Sequence, residues 1–168
     1  DMSIEDATYV SFDLETTGFS VIHDGITEFG AVKIKNGEVI DRLQSFVNPG
    51  KKIGTRVSQL TNITNEMVAD APTIKEFLPQ ILEFFGDAIL VAHNAKFDIG
   101  FLNESLKRLN QKPITNPVID SLALARAIMK PMKSYRLGNV CRVYRVNYDD
   151  DVAHRADYDA EVLGAVFT

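Results

Sequence analysis

The chain has 168 residues, is 45% hydrophobic, contains a single cysteine and carries a formal net charge of −5. That length suits one domain with its own core. No run is apolar enough to span a bilayer, no secretory signal is visible at the start, and the lone Cys141, read as packing in a helix, excludes an internal disulfide framework and fits a reducing compartment. The acidic balance argues against an indiscriminate polyanion binder, though not against an acidic metal site that handles nucleic acid.

Residues 1–6, with Asp1 ahead of Met2, read as an expression remnant or a flexible N-terminus. Tyr9, Val10 and Phe12 then favour a strand. Strand side chains alternate, so Asp13 and Glu15 leave the same face, roughly 6–7 Å apart along the chain. Two acids on one face of a half-buried strand are costly unless something positive sits between them. Thr16-Thr17-Gly18 follows as a turn with hydroxyls, amides and a small residue that lets a ligand come close. Phe19 to Gly25 reads as a loop in which His23 and Asp24 are solvated. Residues 26–35 form a second strand, Asn36-Gly37 a hairpin turn, and residues 38–47 a third strand. Glu28 has a like-charge problem if it lies beside Asp13.

Pro49-Gly50 ends the meander. A basic stretch with Lys51, Lys52 and Arg56 comes next, then an irregular polar segment, Leu60-Thr61-Asn62-Ile63-Thr64, ahead of a short helix. Thr73 and Glu76 make a capping box for the first long helix, whose stripe is Phe77, Ile81, Leu82 and Phe85. Pro79 should kink this helix and Gly86 should end it. Residues 88–92 are continuously apolar, as in a central strand. His93-Asn94-Ala95-Lys96-Phe97-Asp98 leads into a helix reaching Asn110. There Asp98 shares a face with Phe101, Leu102, Leu106 and Leu109. N-capping is the structural explanation for such an acid, and a hydrogen-bonded loop residue is the structural explanation for His93.

Val118 and Ile119 suggest a fifth strand, with Asp120 capping a helix over residues 121–129. Another helix is expected over about 135–144. Residues 121–148 contain no acid but six basic side chains, Arg126, Lys130, Lys133, Arg136, Arg142 and Arg145. This +6 segment is either a solvated face or a surface for a phosphate backbone. Asp149, Asp150 and Asp151 precede His154, and Asp159 lies on the apolar face of a last helix with Val162, Leu163 and Val166. If the helices of Asp98 and Asp159 pack on the first strand's sheet, four carboxylates converge. Oxygen-rich clusters suit Mg²⁺ or Mn²⁺, and a nearby histidine could take a proton from an attacking water.

These segments together resemble a family. Asp13-Leu14-Glu15-Thr16-Thr17-Gly18, then His93 through Asp98, then His154 five residues before Asp159, are similar to the three motifs of the DEDDh, DnaQ-like 3′→5′ exonucleases. The likeness spans about residues 7–168. A histidine at 154 matches the DEDDh type, and Tyr158 has the wrong spacing for the tyrosine variant. The resemblance implies an α/β, RNase H-like fold: a five-stranded mixed β-sheet of order 3-2-1-4-5 flanked by α-helices. It implies two divalent ions on Asp13, Glu15, Asp98 and Asp159, with His154 as general base. It implies release of nucleoside 5′-monophosphates from a 3′ end held by Thr16, Thr17 and Gly18, with Leu60, Thr61, Asn94 and Phe97 at the substrate.

Within the family, Asp120-Ser121-Leu122-Ala123 and Leu60-Thr61-Asn62-Ile63-Thr64 resemble the proofreading modules of bacterial replicative DNA polymerases, the epsilon subunit and more closely the PolC type. Epsilon-like proteins have His-Gly where Thr61-Asn62 stands, and PolC-type domains commonly have threonine. The expected setting is thus a single domain, residues 7–168, cut from a larger polymerase of the bacterial cytoplasm and acting on single-stranded 3′ ends of DNA. An RNA-trimming exoribonuclease and a non-catalytic docking domain are the alternatives; the intact acid set and His154 argue against the second.

Overall fold

The structure is a computed structural model that describes residues 7–123. Its strands are β1 (Thr8–Thr16), β2 (Ile26–Lys35), β3 (Glu38–Phe46), β4 (Ile89–Ala92) and β5 (Val118–Asp120). They form one sheet in the order β3-β2-β1-β4-β5. The β1–β2 and β2–β3 pairs are antiparallel, and the β1–β4 and β4–β5 pairs are parallel. The sheet is therefore mixed, with the expected strand order. Asn36 and Gly37, at φ 54° and 76°, make the tight hairpin between β2 and β3, since a two-residue loop with both φ values positive matches the strand twist.

Val10, Phe12 and Leu14 alternate along β1 into the core, opposite Lys33, Ala31 and Phe29 of β2. Helix α3 (Ile74–Phe85) covers this face with Phe77, Leu78, Ile81 and Phe85. Phe85 lies 5.1 Å from Phe12 between ring centroids, and Phe77 lies 5.8 Å from Phe29. Such aromatic packing fixes the register, because a one-residue slip would turn every core side chain outward. By the same alternation it commits Ser11, Asp13 and Glu15 to the other face. The capping box of α3 forms between Thr73 and Glu76, and Gly86 ends the helix at φ 45°. The helix runs through Pro79 to Phe85 without interruption.

Helix α4 (Ala95–Arg108) buries Phe101, Leu102 and Leu106. It stops short of the expected Asn110 in a Schellman turn. Asn110, at φ 57°, donates to Lys107 O at 3.1 Å, and Gln111 N donates to Leu106 O at 2.9 Å. Two shorter helices, α1 (Thr55–Thr61) and α2 (Asn65–Ala69), sit on a small cluster of Ile53, Ile63 and Val68 with Phe46 and Val57. Helix α1 corrects the expectation of an irregular segment through Leu60 and Thr61. Its N-cap, Gly54, makes no side-chain cap bond, so the usual start signal is absent. Seven residues are marginal as an isolated helix, and tertiary packing of Val57 stabilises this one. The helices expected beyond residue 123 lie outside the described residues.

Candidate active site

The site is built at the end of β1. Asp13 pairs with Gly30 and Glu15 with Glu28 across the β1–β2 ladder. Directly opposed residues share a face, so the fully buried Glu28 lies directly opposite Glu15 and diagonally across from Asp13 on that same face. Like charges in that position repel. Gln44 of β3 offsets this by donating Nε2 to Glu28 Oε2 at 2.7 Å. The pairing register shifts between Glu15 and Thr16, which releases the following turn from the sheet.

Asp98 arrives from α4. Asn94 is the N-cap residue, in the left-handed region at φ 67°, and its side chain makes no cap bond. Asp98 stands a full turn inside the helix, so capping does not explain it. It is 3% exposed, and its Oδ2 has no hydrogen-bond partner. Burial, and then the neighbouring Asp13, Glu15 and Asp120, raise its pKa well above the ordinary carboxyl value. A buried carboxylate oxygen that lacks a donor and faces further acids is what a hard cation would satisfy.

Asp120 ties the two halves of this corner together. Its Oδ1 accepts from Leu122 N at 2.9 Å and Ala123 N at 3.3 Å, the expected cap, and also from Asn94 N at 3.1 Å. His93 is the expected hydrogen-bonded loop residue, with Nδ1 at 3.0 Å from Ser121 Oγ.

The turn after Glu15 uses its hydroxyls internally. Thr16 Oγ1 donates to Gly18 O at 2.7 Å, and Thr17 Oγ1 donates to Asp24 Oδ1 at 2.9 Å. Asp24 is thus not the solvated loop acid expected from sequence. Its partners belong to the same irregular loop or arrive from another connection, and no periodicity marks them. Phe97 is half-buried, 4.9 Å from Phe101 and 6.1 Å from the exposed Phe19, between ring centroids. Leu60 and Asn94 are exposed. Thr61 turns inward: its hydroxyl donates to Val57 O at 2.9 Å and accepts from Ile63 N at 3.3 Å. Glu28, Gln44 and Asp24 are the site neighbours that sequence reasoning did not assign.

His154, Asp159 and the basic side chains from Arg126 onward lie outside the described residues. Among the described residues, no three His, Cys, Asp or Glu side chains form a group that could hold a metal ion by themselves. The donors at this corner are all carboxylate oxygens, a chemistry that fits Mg²⁺ or Mn²⁺. No helix among the described residues is long and apolar enough to cross a membrane.

Comparison with known proteins agrees with this geometry. A family model described as exonuclease matches residues 10–167. The chain is 49% identical over 169 residues to a PolC-type DNA polymerase III of Ureaplasma parvum, covering 99% of this chain and 12% of that protein. It is 44% identical over 161 residues to the PolC-type enzyme of Bacillus cereus, covering 96% of this chain and 11% of the relative. The chain therefore spans about an eighth of the length of these relatives. Among solved structures, exonuclease X in complex with 5′-overhanging duplex DNA superimposes with a TM-score of 0.76 and 25% identity, covering 95% of this chain and 88% of that one. Exonuclease I of E. coli in complex with a dT13 oligonucleotide gives a TM-score of 0.84 at 19% identity, covering 96% and 40%. By the match along nearly its whole length, the chain belongs to the exonuclease family, as a DnaQ-like exonuclease domain related to those of PolC-type polymerases.

Proposed function

We propose that this chain is the 3′→5′ proofreading exonuclease unit of a replicative DNA polymerase, removing nucleoside 5′-monophosphates from a single-stranded DNA 3′ end. The observation that carries it is Asp98, whose Oδ2 has no partner while burial, and then the neighbouring Asp13, Glu15 and Asp120, raise its pKa. In this reading Asp13, Glu15, Asp98 and Asp159 hold two divalent ions, Mg²⁺ or Mn²⁺. Bound there, such ions stabilise charge on the attacking and leaving oxygens of a phosphodiester hydrolysis. His154 accepts the proton of the attacking water. Gly18, Leu60, Asn94 and Phe97 lie against the terminal nucleotide, Thr16 and Thr17 shape the turn beneath it, and Thr61 supports Leu60 from inside. Residues 7–168 form one exonuclease domain, and the partner is the rest of a longer polymerase chain in the bacterial cytoplasm. The names and lengths of the PolC-type relatives support that setting.

The test is release of mononucleotides from 3′-labelled single strands of DNA and RNA, with Mg²⁺, with Mn²⁺ and with chelator. Metal-dependent release from DNA, with slower release from RNA, is the expected result. Faster release from RNA would make the chain an exoribonuclease. No release with either metal would leave a docking domain.

A further inference from the structure

We infer that Asp24, held by Lys51, is a positioning residue that sets the Thr16–Phe19 turn against the 3′-terminal nucleotide. The inference rests on the exonuclease reading and adds a residue pair to it. The β1–β2 connection is organised around one carboxylate. Asp24 Oδ1 accepts from Thr17 Oγ1 at 2.9 Å and from Lys51 Nζ at 3.1 Å, and Oδ2 accepts from Ser20 N at 2.9 Å. Asp24 N donates back to Ser20 O at 2.8 Å. Thr17 closes the loop, because its N donates to Gly25 O at 2.8 Å and its Oγ1 accepts from Gly25 N at 3.1 Å. Lys51 comes from the connection between β3 and α1, and it also donates to His23 O at 3.2 Å.

Gly18 shows how closely this carboxylate underlies the turn. Its φ is not in the left-handed region, so backbone conformation does not demand glycine. A Cβ there would lie 2.4 Å from Asp24 Oδ2, so the carboxylate itself demands it. The Asp24 side chain is 16% exposed and that of Lys51 is 43% exposed. The bonds from Ser20, Lys51 and Thr17 hold the Asp24 carboxyl below its ordinary pKa against the effect of burial, so it is ionised at neutral pH and the ion pair is complete. Asp24 touches neither Asp13 nor Glu15 through any of these bonds. Its effect reaches the substrate through the shape of the turn that follows Glu15.

A residue of this kind changes binding of the 3′ end more than the chemical step. In steady-state cleavage of single-stranded DNA by the 168-residue chain, Asp24→Ala should raise KM about tenfold and hold kcat within about twofold. Lys51→Met should raise KM about threefold, and Lys51→Arg, which keeps the ion pair, should recover most of that. Asp24→Ala/Lys51→Met should be no worse than Asp24→Ala alone, because the two side chains act as one unit. If Asp24→Ala fails to fold, the Lys51 variants decide by themselves. Wild-type KM in folded Asp24→Ala or in Lys51→Met overturns the inference, and so does a fall in kcat at constant KM. If wild type itself releases no nucleotide, the exonuclease reading is what has failed.

Discussion

Asp98→Asn removes one charge from the buried corner without changing its volume. The sign of its effect on the metal-free protein follows from proton linkage. In the unfolded chain the carboxyl ionises near its ordinary value of 3.8, and in the fold its pKa lies well above that. Between the two values the folded state binds the extra proton, so stability falls as pH rises. The slope for one proton is about 1.4 kcal/mol per pH unit. The loss starts just above pH 3.8, continues up to the folded value and is constant beyond it. Asp98→Asn has no such proton, so relative to wild type it should gain about 1.4 kcal/mol for each pH unit in that window. For a domain of this size that corresponds to roughly 3–6 °C in Tm per pH unit. Urea unfolding of both proteins with chelator, at a series of pH values rising from the ordinary carboxyl value of 3.8, measures the difference directly. Added Mg²⁺ or Mn²⁺ should stabilise wild type and leave the variant nearly unchanged. A stability difference independent of pH, or equal stabilisation of both proteins by the metal, would refute the reasoning.

Asp13→Ala and Glu15→Ala should each abolish release of mononucleotides while circular dichroism and cooperative melting stay native, because both acids lie on the face of β1 opposite its aromatic core. His154→Ala should lower kcat by roughly 10²–10⁴ yet keep Mn²⁺ binding, whereas Asp159→Ala should weaken Mn²⁺ binding itself; calorimetric titration of both variants separates base from ligand. Simultaneous alanine replacement of Arg126, Lys130, Lys133 and Arg136 should flatten the dependence of log affinity for single-stranded DNA on log salt by about 0.7 for each phosphate no longer neutralised, read by fluorescence anisotropy.

Local rules carried much of this molecule. Alternation along residues 9–15 separates Val10, Phe12 and Leu14 from Asp13 and Glu15, and the structure keeps that division. Asn36-Gly37, the Thr73–Glu76 capping box and Gly86 act within a few residues of themselves, so each holds in the fold as in the sequence. The face shared by Asp98 with Phe101, Leu102 and Leu106 is equally local, since it follows from the helical repeat.

Other features exist only because distant segments meet. Glu28 lies opposite Glu15 through the β1–β2 register, and Gln44 reaches Glu28 from a third strand. Helix α1 is stabilised by packing on Ile53 and Ile63 more than by any start signal of its own. Asp24 and Lys51 are 27 residues apart, and nothing in their spacing announces the bond. Asp98 leaves the capping role only because Asn94, gripped through its amide by Asp120, starts the helix a turn earlier. The sequence by itself thus determined which side chains are acidic, which strand and helix faces they occupy and where the chain turns, because those depend on periodicity and short-range bonds. The tertiary structure alone decided which carboxylates are buried beside one another and which are spent on holding a turn, because burial and charge proximity are properties of packed segments and not of any one of them.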